Sequence, residues 1–170
     1  SLEVGARTVI REFATLNRGT SAAGKTVIGS DCLLMAYTHV AHDCQLGNHV
    51  ILSNAVNMGG HVLIEDWVTV GGLTPIHQFV RIGAHAFVGG GSRIPQDVPP
   101  YCRAVGNPPK LYGLNTVGLE RRGFSEDVRK ALKKAYRTLF ASNLNLSQAL
   151  ARADEEFSTI PEVRHLLEFI

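Results

Sequence analysis

Residues 28–94 read IGSDCLLMAYTHVAHDCQLGNHVILSNAVNMGGHVLIEDWVTVGGLTPIHQFVRIGAHAFVGGGSRI. Stepping by six from Ile28 lands on Leu34, Val40, Leu46, Leu52, Met58, Ile64, Val70, Ile76, Ile82, Val88 and Ile94, so every sixth residue is aliphatic. Four residues after each of these, from Cys32 through Thr38, Cys44, Val50 and on to Val98, the side chain is small or β-branched. Gly often follows the aliphatic residue, as at Gly29, Gly47, Gly59, Gly71, Gly83 and Gly89. Helices and simple alternating strands give periods of about 3.6 and 2, so neither produces this pattern. A period of six is the mark of a hexapeptide-repeat parallel β-helix.

Each hexad then supplies one short strand and one turn. The aliphatic side chain points into a triangular prism, and the small side chain four residues later fits beside it. Three hexads close one coil, so residues 18 apart stack on adjacent coils at a spacing of roughly 4.8 Å. No coil buries its own core, and stability comes from stacking. Read backwards, the register gives Ala22, Leu16, Ile10 and Val4. The chain opens on Ser1-Leu2-Glu3-Val4-Gly5, already inside the repeat, and the reading expects further coils before Ser1.

The 170 residues divide into a β-helix over 1–100 and a linker plus helical domain over 101–170. Arg18–Lys25 is polar and rich in small residues, and it reads as a loop leaving the prism. Pro95, Pro99 and Pro100 end the repeat, and the turn signals of 101–115 read as a linker. Ser125 is a candidate N-cap for a helix carrying Val128, Leu132, Ala135, Tyr136, Leu139 and Phe140 on one face. Further helices are expected near Ser147 and from Pro161, a favoured first-turn residue. Net charge is +2, and no apolar run reaches the roughly 18 residues of a membrane span. The cysteines, Cys32, Cys44 and Cys102, are odd in number and lack a C-x-x-C pair. That pattern argues against a disulfide framework or a zinc site and for a cytoplasmic protein.

Six of the seven histidines lie in the repeat. His49 and His85 stack by register on Trp67 and read as packing. His39-Val40-Ala41-His42-Asp43 is different. By 18-residue spacing, Gly60 follows His42, His61 follows Asp43 and Gln78 follows Gly60, with His77 preceding Gln78. These residues form one outward patch across three coils. A carboxylate beside an imidazole raises its basicity and fixes its orientation. A Gly on the next coil leaves its backbone N–H open to an oxyanion. With Cys44 assigned to the core, the patch has no nucleophilic Ser or Cys. This favours general-base activation of a substrate hydroxyl or amine over a covalent intermediate. A metal centre would need imidazoles converging from neighbouring copies; no metal or cofactor is assigned.

The segments THVAHDC, GGHV, HQF and GLERRGF, with QDVPPYCRAVGNPPKLYGLN between the last two, carry a resemblance. The chain closely resembles the acyl-carrier-protein–UDP-N-acetylglucosamine O-acyltransferases of lipid A biosynthesis, over nearly its whole length. The resemblance implies a left-handed β-helix, a homotrimer, and sites in clefts between subunits with the helical tail beside them. It implies transfer of a 3-hydroxyacyl group from acyl carrier protein to the 3-position of UDP-N-acetylglucosamine. It puts the base on His42, its orienting carboxylate on Asp43 and the oxyanion donor on the Gly60 N–H. His39, His61, His77 and Gln78 match substrate-contacting positions. Asn115, Arg121 and Arg122 match positions that hold the nucleotide or meet the carrier protein, and Gly90 matches the floor of the acyl pocket. Asn17, Pro108 and Val117 depart from frequent family residues.

Arg121, Arg122, Arg129, Lys130, Lys133, Lys134 and Arg137 form a basic run. It suits either a solvated helix face or a landing site for an acidic carrier protein. Without aromatic interleaving or a known module, nucleic acid is not assigned. Alternatives are the N-acyltransferase of the same pathway, another hexapeptide acyltransferase, and a non-catalytic β-helix. An ice-binding face would need regular Thr ladders, which the His-rich wall lacks.

Overall fold

The structure is a computed structural model that describes residues 1–157 and 159–170. Strands of two or three residues, from Leu2–Val4 to Phe87–Val88, run parallel in three sheets that form the walls of a prism. Gln45, Leu63 and Arg81 are in register on the five-stranded wall, Ile51, Thr69 and Phe87 on the seven-stranded wall, and His39, Asn57 and Pro75 on the four-stranded wall. Steps of 18 thus stack as the period demands.

The first coil is longer. Leu2 pairs with Thr26, Val9 with Leu33 and Thr15 with His39, each 24 positions apart. The difference is the excursion of residues 18–25, the stretch read as a loop. Ala22, which the register placed inside, lies exposed in that excursion. The inward column is otherwise buried from Ile28 through Leu52 and Val70 to Ile94, whereas Val4 and Ile10 of the first coil are 44 % and 41 % exposed. Cys32, Cys44 and Cys102 are buried free thiols.

Corner geometry has the same period. Asp31, Tyr37, Asp43, His49, Ala55, His61, Trp67, Leu73, Phe79 and His85 all have φ between +56° and +65°. Left-handed backbone costs a non-Gly residue roughly 1–2 kcal/mol. Here the ladder bonds on both sides of each corner hold it. The outward corner side chains stack in turn: His49 on Trp67 at 3.8 Å between ring centroids, and His61 on Phe79 at 4.8 Å.

The segment read as a linker is not one. Cys102–Gly106 and Pro109–Leu114 form an antiparallel hairpin, and its first strand extends the seven-stranded wall beside Phe87–Val88. The Gly-Asn-Pro-Pro signals mark the hairpin turn. Cys102 and Ala104 alternate inward, burying the end of the prism core.

Four helices follow: α1 (Thr116–Arg121), α2 (Glu126–Phe140), α3 (Leu146–Phe157) and α4 (Pro161–Phe169). Ser125 caps α2 by accepting from the Val128 N–H, as expected. Asn145 and Gln148 form a reciprocal cap on α3. Leu119, Leu132, Ala135, Ala149, Val163 and Leu166 bury a second core that also takes in Tyr101. His165 of α4 ties this unit to the prism through Glu65 (2.9 Å) and the Tyr101 hydroxyl (3.0 Å). The Glu65 hydrogen bond holds His165 above the ordinary histidine value. None of the described helices is long and apolar enough to cross a membrane.

Candidate active site

Where the four-stranded wall turns into the five-stranded wall, the corner residues of successive coils are 41–44, 59–62 and 77–80. His42 lies two residues beyond the inward Val40 and its side chain is 45 % exposed. Its ring rests on the next coil, over Gly60. A Cβ built on Gly60 would sit 2.6 Å from His42 Cε1 and 2.8 Å from Nε2. Only glycine leaves that space. The Gly60 N–H has no acceptor among the described residues and stands beside the imidazole.

Asp43 occupies the left-handed corner position, with φ +62°. Its N–H donates to Thr26 Oγ1 (2.8 Å) and its side chain is fully buried. Oδ2 sits 2.8 Å from His42 Nδ1 and 3.8 Å from His61 Nε2. Oδ2 also accepts from the Thr20 hydroxyl at 2.6 Å, and Oδ1 accepts from the Thr20 N–H at 2.8 Å. The Thr20 hydroxyl is the main influence holding Asp43 at about 2; burial opposes it, while His42, the Thr20 N–H and His61 reinforce it.

A carboxylate whose folded value lies below its unfolded value near 4 contributes stability above that value. The contribution is lost as pH falls toward the folded value. The stability gap between the native protein and Asp43→Asn, measured by denaturant unfolding, is therefore expected to be constant above about pH 4. It should close as pH approaches about 2. A gap independent of pH would show that Asp43 is not held ionised by these partners.

The remaining residues of the patch sit around this centre. His39 lies on the four-stranded wall, its Nδ1 2.7 Å from Thr15 Oγ1. His77 and Gln78 are exposed on the following coil, His77 Nδ1 donating to the Gln78 carbonyl at 3.0 Å. The ligand atoms of His42, Asp43 and His61 lie within 4.8 Å of one another, close enough for a metal ion. The Asp43 oxygens are already engaged by Thr20 and His42, which suits a carboxylate–imidazole pair. The contribution of Thr20 was not read from the sequence: the neighbour map counts in steps of 18, and Thr20 reaches Asp43 across 23 positions.

Gly90, Asn115, Arg121 and Arg122 do not join this patch within one chain. Gly90 is exposed at the corner between the seven- and four-stranded walls. Asn115 caps α1, accepting from the Gly118 N–H and donating to the His85 carbonyl. Arg121 and Arg122 border a groove of about 730 Å³ over the seven-stranded wall, lined also by Ile51, Thr69, Phe87 and Tyr112. That wall lies opposite the corner bearing His42. Arg122 lies over the Trp67 ring at 5.3 Å, with Nη1 3.4 Å from His85 Nδ1. Burial, and then the Arg122 charge, push His85 down to about 4, so it is neutral at pH 7. In the basic run, Arg129 pairs with Glu120 and Lys130 with Glu126. Lys130, Lys133, Lys134 and Arg137 border a separate groove of about 440 Å³.

This geometry can be set beside known proteins. Residues 97–170 match the family described as UDP N-acetylglucosamine O-acyltransferase, domain 2, and residues 25–60 match the bacterial transferase hexapeptide (six repeats). The solved UDP-N-acetylglucosamine acyltransferase of Bacteroides fragilis superposes with a TM-score of 0.93 at 31 % identity, covering 99 % of this chain and 78 % of that one. The chain belongs to the UDP-N-acetylglucosamine O-acyltransferase family. Two curated relatives carry the name acyl-[acyl-carrier-protein]–UDP-N-acetylglucosamine O-acyltransferase. That of Chlorobaculum parvum is 59 % identical over 169 residues, covering 99 % of this chain and 64 % of the relative. That of Aquifex aeolicus is 56 % identical over 171 residues, covering 100 % and 66 %. The chain thus spans just under two thirds of these UDP-N-acetylglucosamine O-acyltransferases.

Gly60→Ala should separate seat from fold. The added methyl cannot share space with the imidazole, and the half-exposed ring can swing outward. If the imidazole serves as the base, its displacement costs turnover on the order of 10²-fold. The expected result is a folded protein with that loss, measured by acyl transfer and circular dichroism. Full turnover would show that the close approach of His42 to Gly60 does not matter.

Proposed function

We propose that this chain catalyses transfer of a 3-hydroxyacyl group from acyl carrier protein to the 3-hydroxyl of UDP-N-acetylglucosamine, the first step of lipid A biosynthesis. Family membership supports the substrates, and one observation supports the chemistry: the His42 imidazole, held by Asp43 at Nδ1, seated beside the free Gly60 N–H. With Asp43 accepting at Nδ1, the lone pair is on Nε2, and Nε2 takes the proton from the acceptor hydroxyl. The hydroxyl oxygen bonds to the thioester carbonyl carbon. The carbonyl oxygen becomes an oxyanion and accepts from the Gly60 N–H. Collapse breaks the carbon–sulfur bond, and the proton on His42 passes to the leaving thiolate. His39, His61, His77 and Gln78 are the polar groups placed to hold the acceptor.

The site is shared between copies in this proposal. The open corner that bears His42 does not by itself cover an acyl chain, and the arginine groove faces away from it. A closed three-fold ring sets the seven-stranded wall of one copy against the His42 corner of the next and repeats the contact identically. Arg121 and Arg122 then meet the diphosphate or the carrier protein from the neighbouring copy, and Gly90 leaves room for the acyl chain. The test is to incubate the protein with UDP-N-acetylglucosamine and a panel of 3-hydroxyacyl carrier proteins and to weigh the products. A singly acylated sugar nucleotide is expected. Product only from a 3-amino sugar nucleotide would reassign the acceptor, and no acylated product from either would overturn the proposal.

A further inference from the structure

We propose that Thr20 is a positioning residue that aims the Asp43 carboxylate at His42 and thereby selects the His42 tautomer. The inference rests on the proposed base role of His42 and deepens it.

The buried carboxylate has two imidazoles within reach, His42 at 2.8 Å and His61 at 3.8 Å from the same oxygen. Nothing in a lone Asp–His contact decides between them, because rotation about the side-chain bonds moves Oδ2 from one ring toward the other. Thr20 removes that freedom by gripping both oxygens, N–H to Oδ1 and hydroxyl to Oδ2. A two-point hydrogen bond fixes the carboxylate plane as well as its position. The hydroxyl has a defined direction too. Its oxygen accepts from the Ala22 N–H at 3.2 Å, so its own proton is left to point at Asp43.

Thr20 can do this because the chain leaves the wall. Residues 18–25 lengthen the first coil from 18 to 24 positions, and the excursion adds no side chain to the prism core. It is folded tightly: the Gly24 N–H donates to the Thr20 carbonyl at 2.8 Å. At Gly19 a Cβ would fall 2.2 Å from the Lys25 backbone nitrogen. That contact sets where Thr20 begins. Both Thr20 donors and the His42 nitrogen satisfy Asp43 from one side of the corner, and Thr26 Oγ1 holds the Asp43 N–H from below. The titratable groups facing the carboxylate are His42 and His61, with the buried Cys44 thiol next along the chain.

The consequence is a defined proton position. With Oδ2 held on Nδ1, His42 carries its proton there and presents a bare Nε2. Without the grip, the carboxylate shares its time between the two rings, and part of the His42 population takes the other tautomer.

The test compares Thr20→Val, which keeps the shape but removes the hydroxyl, with Thr20→Ser, which restores it. Wild type is expected to show His42 in one Nδ1–H tautomer by imidazole ¹⁵N shifts at neutral pH. Thr20→Val should show a mixture, with kcat lowered on the order of 10-fold, KM unchanged and the kcat–pH profile displaced. Thr20→Ser should return the tautomer, kcat and the pH profile toward wild type. A Thr20→Val protein with the wild-type tautomer, or with wild-type kcat, overturns the proposal. If the wild-type chain acylates no sugar nucleotide, the functional reading fails separately, and the ¹⁵N comparison alone decides whether Thr20 positions Asp43.

Discussion

His42→Ala is expected to lower acyl transfer by a factor of about 10² to 10⁴ while the protein keeps its fold. The size follows from what the substitution removes. Without an imidazole at the Gly60 seat, the acceptor hydroxyl must lose its proton to water as it attacks. The Gly60 N–H and the groups proposed to hold the acceptor remain, so KM should change little. The fold should persist because His42 is half-exposed and belongs to neither buried core. Asp43 also keeps both Thr20 donors when the imidazole goes. Asp43→Asn should do less harm, since it weakens orientation and basicity but leaves the base in place. Transfer rates and circular dichroism on the two variants check this. Near-normal turnover in a folded His42→Ala protein would remove His42 from the chemistry.

Mixing two disabled variants should bring activity back. His42→Ala lacks the base, and Arg121→Glu puts a negative charge where the groove is proposed to meet the diphosphate. If each site draws its base from one copy and its groove from the next, rings co-assembled at random from an equal mixture hold on average about one quarter of their sites intact. Activity should rise from near background to that fraction. If base and groove served the same site from one chain, every chain in the mixture would carry a defect and no mixture would recover. The contrast depends on the opposed placement of the His42 corner and the arginine groove, which no side-chain rotation can bridge. Light scattering on the same samples gives the assembly size.

The coil register and the His42 patch were legible because a period of six encodes both. It says which residues point inward and which stand above one another, so the contacts between His42 and Gly60 and between Asp43 and His61 could be placed by counting. Counting fails where the period breaks. The excursion at 18–25 breaks it, so Ala22 was put inside, and Thr20 was not connected to Asp43. The hairpin at 102–114 was taken for a linker because its Gly and Pro signals were read without the short alternation of Cys102 and Ala104 beside them. The six residues of α1 are too few to show a helical period, and Gly118 dilutes them further. The expected helices near Ser147 and at Pro161 were found because each spans at least two full turns with an apolar face.

The excursion that carries Thr20 also bears on how the molecule assembles. Thr20, His42, Asp43 and Gly60 all fall between residues 20 and 60, and their contacts close loops of only 18 to 23 positions. Short loops cost little closure entropy, and local contacts form early in folding. His42 and its partners are therefore expected to come together from one continuous stretch of chain, ahead of the docking of the helical unit through His165. The arginine groove, by contrast, needs residues 51 to 122 in place. Partial opening of the tail in the native state would dissolve the groove and leave the His42–Asp43 pair standing. In amide exchange the two halves of the site should then report different opening energies, with the Asp43 amide, bonded to Thr26 Oγ1, slower to exchange than the Leu119 amide of α1.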